Sequence, residues 1–204
     1  MKGFSDAERD RIREQLLETG GELFAQYGLQ KTTIADLTDP VGIANGTFYQ
    51  FFDSKERLYL DVAELEGQVV ADEIVANSFE VEDDPESAIR RFMTLLVEEM
   101  EENPLFMQLV AGDELDRVIR AIDEFSEEEM ESLRGESFAH MLPYIETWQS
   151  EGRLREGDPF VIGGMFGMVE YLTMYREQIG EEYYPAMRDM LIETIAAGLT
   201  CTTD

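Results

Sequence analysis

Between Val41 and Phe52 the chain reads Val-Gly-Ile-Ala-Asn-Gly-Thr-Phe-Tyr-Gln-Phe-Phe, a window without a single carboxylate in a protein of formal net charge −29. Its polar members are Asn45, Thr47, Tyr49 and Gln50, set beside the small residues Ala44 and Gly46. Amide and hydroxyl groups hydrogen-bond without carrying charge, and small neighbours allow close approach. That combination suits contact with phosphate oxygens and base edges, where an acid would be repelled. Ile43, Phe48 and Phe52 are spaced to face a small core instead.

Composition narrows the alternatives. The chain has 204 residues, 44% of them hydrophobic, which is enough for one or two domains with real cores. It holds one histidine, His140, and one cysteine, Cys201. A disulfide framework and a His-rich metal site are therefore excluded. No nucleophile–base constellation, Gly-rich phosphate loop or metal-ligand spacing occurs, so the expectation is a non-enzyme with no cofactor and no metal. No apolar run is long enough to span a membrane and the amino-terminal stretch lacks an apolar signal segment, so a cytoplasmic location is expected.

Charge is unevenly distributed. Residues 1–60 hold 7 Lys+Arg against 10 Asp+Glu, whereas residues 61–204 hold 9 against 35. Phosphate recognition draws on Lys and Arg, and the amino-terminal segment is the part spared from acidity. Elsewhere clusters such as Glu98-Glu99 with Glu101-Glu102, and Glu127-Glu128-Glu129 with Glu131, read as solvated faces. The acidic, lysine-poor composition resembles that of proteins from salt-accumulating cells, where counterions screen self-repulsion.

The elements that must position the uncharged window are helical. Ser5-x-x-Glu8 is a capping box, followed by Ile12, Leu16, Gly20, Leu23, Phe24 and Tyr27 at helical spacing until Gly28. Thr33 caps a short second helix, with Ile34 and Leu37 inward and an end near Pro40. Gly42 supplies a turn, and a third short helix covers about 44–51. Asp53 or Ser54 caps a longer fourth helix with Leu58, Val62, Leu65 and Val69 on one stripe. Asp84-Pro85 opens the next helix and Asn103-Pro104 breaks it. Further helices are expected to Leu109, over 113–122, and over 126–150. Asp158-Pro159 opens one that ends at Gly180, and Pro185 starts the last, to about Gly198. No strand alternation and no internal repeat are visible. Two short helices joined by a glycine turn and braced by longer ones make a helix-turn-helix, which puts the second short helix into a major groove.

The stretch TTIADLTDPVGIANGTFYQFFDSKERLY, residues 32–59, resembles the helix-turn-helix signature of TetR-type (TetR/AcrR) transcriptional regulators. The similarity is carried by Thr32, Thr33, Gly42, Ile43, Gly46, Thr47, Phe48, Tyr49, Phe52, Ser54 and Lys55. It implies that Thr32 and Thr33 touch phosphate at the start of the second helix, that Thr47 and Tyr49 bond phosphates from the recognition helix, and that Lys55 meets phosphate at the start of the fourth. Ala44, Asn45, Gly46 and Gln50 complete the expected DNA-facing set. Asn45 is the leading base reader, since an Asn amide can pair with adenine; Gln50 is second. Three departures stand out: Pro40 where the family continues its helix, Ala44 for the commoner serine, and Gln50-Phe51 where basic residues and histidine are frequent.

The expected architecture is all-α: a three-helix DNA-binding domain over residues 5–60, with the helix-turn-helix at about 32–52, joined by a long helix to a helical effector-binding and dimerisation domain over 61–204. The resemblance implies a homodimer on a palindromic double-stranded operator, and a repressor released by a largely apolar small molecule. For the dimer interface the apolar stripes suggest Ile162, Met165, Phe166 and Val169 with Met187, Met190, Leu191 and Ile195, helped by Gly163-x-x-x-Gly167. Phe106, Met107, Phe138, Met141, Trp148, Met168, Tyr171, Met174 and Tyr175 are the effector-pocket candidates, because methionine and amphipathic aromatics suit an adaptable cavity. Both stripes and pocket residues are equally compatible with plain core. A helical protein-interaction module without DNA binding, or a helical enzyme of unseen chemistry, remain the alternatives.

Overall fold

The structure, a computed structural model, describes residues 4–111, 118 and 140–200. Every regular element among them is an α-helix, and the one β-type pairing is an isolated antiparallel bridge between Leu154 and Thr200. The described residues fall into two compact units, 4–66 with 104–111 and 118, and 67–103 with 140–200.

In the first unit, α1 (Asp6–Tyr27) starts at Ser5, whose hydroxyl accepts from Glu8 N while the Glu8 carboxylate accepts from Ser5 N. Gly28, at φ 76°, ends it. Thr33 and Asp36 repeat the same reciprocal cap for α2 (Ile34–Val41). Pro40 sits inside the last turn of α2, so the helix outlasts its expected end by one residue. Termination falls to Gly42 in the left-handed region (φ 76°, ψ 31°), whose N–H turns back to Thr38 O. The recognition helix α3 is a single turn, Asn45–Phe48, shorter than the expected span. Residues 49–51 follow in tighter turns, with Gln50 N donating to Thr47 O and Phe51 N to Phe48 O.

Ser54 caps α4 (Lys55–Ala76), its Oγ accepting from Arg57 N at 3.0 Å. Leu58, Tyr59 and Val62 of α4 join Ile12, Leu16, Phe24, Leu37, Phe48 and Phe52 in the core. Gly20 lets α1 and α4 approach: a Cβ there would stand 3.3 Å from Leu58 and 3.4 Å from Val62. Leu65 and Val69 are exposed, contrary to the expected stripe, because the buried face of α4 moves to Val70, Ile74 and Val75. Beyond α5 (Pro85–Glu102), which belongs to the second unit, α6 (Pro104–Ala111) packs on α1, with Gln108 Nε2 donating to Ala25 O.

The second unit is built around α5. Asp84 accepts from Ser87 N, Pro85 occupies the first turn, and Ala88, Ile89, Phe92, Met93, Leu96, Val97 and Met100 are buried at helical spacing. Against it pack α8 (Pro159–Phe166), α9 (Met168–Met174) and α11 (Tyr184–Leu199), with α7 (Leu142–Ser150) lying on α8. Phe79 stacks on Phe92 at 5.0 Å and meets Trp148 edge-on at 5.3 Å, while Phe166 closes the cluster. The helix expected to run unbroken from Pro159 to Gly180 is three: α8, α9 and α10 (Arg176–Ile179). At the joints Glu170 N donates to Gly167 O and Tyr175 N to Leu172 O, three residues back, which tightens the turn without reversing the chain. The long helix expected over 126–150 lies mostly outside the described residues, as does the one over 113–122. Its described end is α7, which opens after a turn at His140 and Met141 with Pro143 in its first turn.

Candidate nucleic-acid interface

The turn at Gly42 fixes α3 against α2, and contacts from α1 fasten the segment that follows α3. Arg9 of α1 donates to Gln50 O at 2.9 Å and lies over the Phe51 ring; Phe48 and Phe52 anchor the same segment in the core. What remains outward is Ala44, Asn45, Gly46, Tyr49 and Gln50, with Thr47 half-buried. Tyr49 is 58% exposed. A Cβ at Gly46 would meet nothing within 4 Å, so this position is open for close approach by a partner.

Three of the expected phosphate contacts are occupied by the fold itself. Thr32 is buried and its hydroxyl donates to Gly28 O at 2.8 Å, closing the end of α1. Thr33 is exposed, yet its hydroxyl donates to Asp36 Oδ2 at 2.6 Å. These bonds hold the Asp36 carboxyl below the usual carboxylate range, so a negative charge is stabilised at the start of α2. Lys55 directs its ammonium at Leu29 O and Thr32 O, joining the α1–α2 connection to the start of α4. Buried Thr32 is therefore corrected from a phosphate donor to a structural brace, while Thr33 and Lys55 already hold partners within the chain. A cation that the motif did not single out is Lys31, exposed and without an ion pair among the described residues. Its position directly before Thr32-Thr33 was the available signal. Arg9 carried no such signal, since its partners lie 41 or more residues away.

In the second unit the expected sets are redistributed. Ile162, Phe166, Val169 and Ile195 are buried within the chain and belong to its own core, so they are corrected from the dimer interface. Met165, Met187 and Met190 are exposed and Leu191 is half-buried; Val161, Met168, Tyr171 and Tyr175 join them as large exposed apolar groups on α8, α9 and beyond. The reason is a one-residue phase difference: adjacent stripes on α8–α9 are both apolar, and the one holding Phe166 meets α5. The pocket candidates fall in both units. Phe106 and Met107 lie on α6 in the first unit, Met141 and Trp148 are buried core, Met174 is half-buried, and Met168, Tyr171 and Tyr175 face outward. Phe138 lies outside the described residues. Glu170 in α9 has no hydrogen-bond or ion-pair partner among the described residues, and desolvation pushes its carboxyl up to about 7.

A left-handed glycine between two short helices, an exposed neutral face on the second and a helical core behind it define a helix-turn-helix protein. The sequence profile of bacterial regulatory proteins of the tetR family matches residues 16–62. The HTH-type transcriptional repressor KstR2 of Rhodococcus jostii is 46% identical over 46 residues, 22% of this chain and 22% of the repressor. The chain thus spans about a quarter or less of the length of such curated relatives. A TetR-family transcriptional regulator from Pectobacterium atrosepticum shares the fold with a TM-score of 0.74 at 20% identity, covering 98% of this chain and 100% of that one. A choline-bound candidate transcriptional regulator from Saccharomonospora viridis matches with a TM-score of 0.69 at 17% identity, over 94% and 99% of the two chains. Residues 16–62 thus carry a region similar to the tetR family of bacterial regulatory proteins, and the chain shares the fold of solved TetR-family regulators.

Proposed function

We propose that the protein is a dimeric, sequence-specific DNA-binding transcriptional regulator, a repressor released by a small-molecule effector. The observation that carries this reading is the Gly42–α3 segment, which turns Asn45, Gly46, Tyr49 and Gln50 outward within a stretch, residues 41–52, that contains no acid. A face of neutral donors and acceptors can approach phosphates that the rest of this acidic chain would repel. Tyr49 and Thr47 would hold the backbone, and Asn45 and Gln50 would meet base edges in the major groove.

One recognition helix covers few base pairs, so a two-fold dimer is the working form. Exposed Val161, Met165, Met187 and Met190 supply the apolar surface such a dimer would bury. The effector reading is supported by the family and by choline in the Saccharomonospora viridis protein. Effector binding that favours one dimer geometry would change the spacing of the two recognition helices, and with it the fit to successive grooves.

Selection of duplexes from a random pool, with light scattering of the selected complex, tests this. An inverted repeat bound by two chains is expected. A folded protein that enriches no motif would overturn the reading.

A further inference from the structure

Thr38 in α2 and Asn45 at the start of α3 face each other across the Gly42 turn. Thr38 is fully buried, and its Oγ1 lies 2.9 Å from Ile34 O and 2.8 Å from Asn45 Oδ1. A threonine hydroxyl carries one hydrogen and cannot donate to both oxygens. Two oxygens this close with no hydrogen between them repel. The oxygen and nitrogen of a side-chain amide have nearly the same shape, so the amide can be turned end for end in place. Turned, it puts a hydrogen in both contacts: Thr38 Oγ1 donates to Ile34 O, and Asn45 Nδ2 donates to Thr38 Oγ1.

The amide then keeps its oxygen and its second N–H, side by side, on the edge away from Thr38. Asn45 is exposed, so that edge is open. An acceptor beside a donor complements the N6–H donor and N7 acceptor of adenine in the major groove. The reverse orientation would exchange the two, setting the amide oxygen against N7 and the N–H against the N6 amino group, so neither contact with adenine could form.

We infer that Thr38 is a positioning residue for base recognition: its buried hydroxyl fixes the Asn45 amide with the acceptor–donor edge outward, and so sets a preference for adenine at one position in each half-site. This rests on the DNA-binding reading above. Removing the hydroxyl frees the amide to turn, and the preference at that position relaxes while the phosphate contacts stay.

The test uses the full chain and a duplex selected by the wild type. Affinity is measured for that duplex and for every single-base replacement in one half-site, with wild type, Thr38→Val, Thr38→Ser and Asn45→Ala, alongside the melting temperature of each protein. Wild type is expected to prefer adenine at one position by roughly tenfold. Asn45→Ala and Thr38→Val should flatten that position and leave the others, whereas Thr38→Ser, which keeps the hydroxyl, should retain it. Should Thr38→Val fold poorly, Thr38→Ala provides the same comparison without the added methyl group. A Thr38→Val protein that keeps full preference at the position flattened by Asn45→Ala overturns the inference alone. So does one that weakens all duplexes equally, which is what a mere packing defect would do. If wild type selects no duplex, the DNA-binding reading fails and the inference with it.

Discussion

The two units of this chain solve different problems with different side chains. In the first, short polar residues are fixed one by one: Thr32 on Gly28, Thr33 on Asp36, Thr38 near Asn45, Lys55 on two carbonyls. In the second, α5 is wrapped by long apolar faces, and methionines and tyrosines remain on the outside of α8, α9 and α11. Charge follows the same division, with the excess of acids after residue 60. A face that meets a polyanion cannot carry an excess of acids, and its hydrogen-bonding groups must be held in place. A face that meets another apolar surface needs only area and shape, so it tolerates acidic surroundings.

Neighbouring residues on α8 give the sharpest contrast within the second unit. Phe166 is fully buried, so Phe166→Ala should cost about 3–5 kcal/mol of stability. Met165, 40% exposed, should tolerate alanine with little loss of fold, whereas Met165→Glu should dissociate the proposed dimer. Thermal melts and light scattering on the three variants separate core from interface. A Met165→Glu protein that stays dimeric would move the interface elsewhere.

Glu170 should make a pH-dependent contribution to the second unit. Its carboxyl is raised from an ordinary 4.5 to about 7, so the folded state holds a proton that the unfolded chain releases. Its contribution to stability is therefore full below about 4.5, falls as pH rises, and is lost above about 7. Glu170→Gln should remove that fall and gain on the order of 1–3 kcal/mol at pH 8, with little difference at pH 4. Equal pH profiles for the two proteins would rule out a raised Glu170 carboxyl.

The smallest effect belongs to the first unit. Tyr49→Phe removes one exposed hydroxyl and should weaken binding by about 0.5–1.5 kcal/mol on every duplex alike, without moving base preference. With Lys55 held by carbonyls and Lys31 among the few exposed cations, affinity should also depend only weakly on salt. A steep salt dependence would mean that more cations reach phosphate than this face provides.

Helix ends were legible because their signals are local. Ser5 with Glu8, Thr33, Gly42, Ser54, Asp84-Pro85 and Asp158-Pro159 each act within a few residues of themselves. The side of a helix that faces inward was less so. Ile162, Phe166 and Val169 form one apolar stripe, Val161, Met165 and Met168 another, and periodicity cannot rank two stripes of equal apolarity. The fates of Thr32 and Lys55 were illegible for a different reason: their partners are backbone carbonyls, which every residue offers and no sequence motif marks. Thr38 carries no sequence signal of its own, although its hydroxyl lies next to the proposed base reader.

Amide chemical shifts of the isotope-labelled protein, followed as a selected duplex is added, test the central claim most directly. Saturable shifts concentrated at residues 44–50 are expected, with smaller ones near Lys31 and Thr33 and none across α11. Shifts that spare residues 44–50 while the duplex binds tightly would contradict that claim.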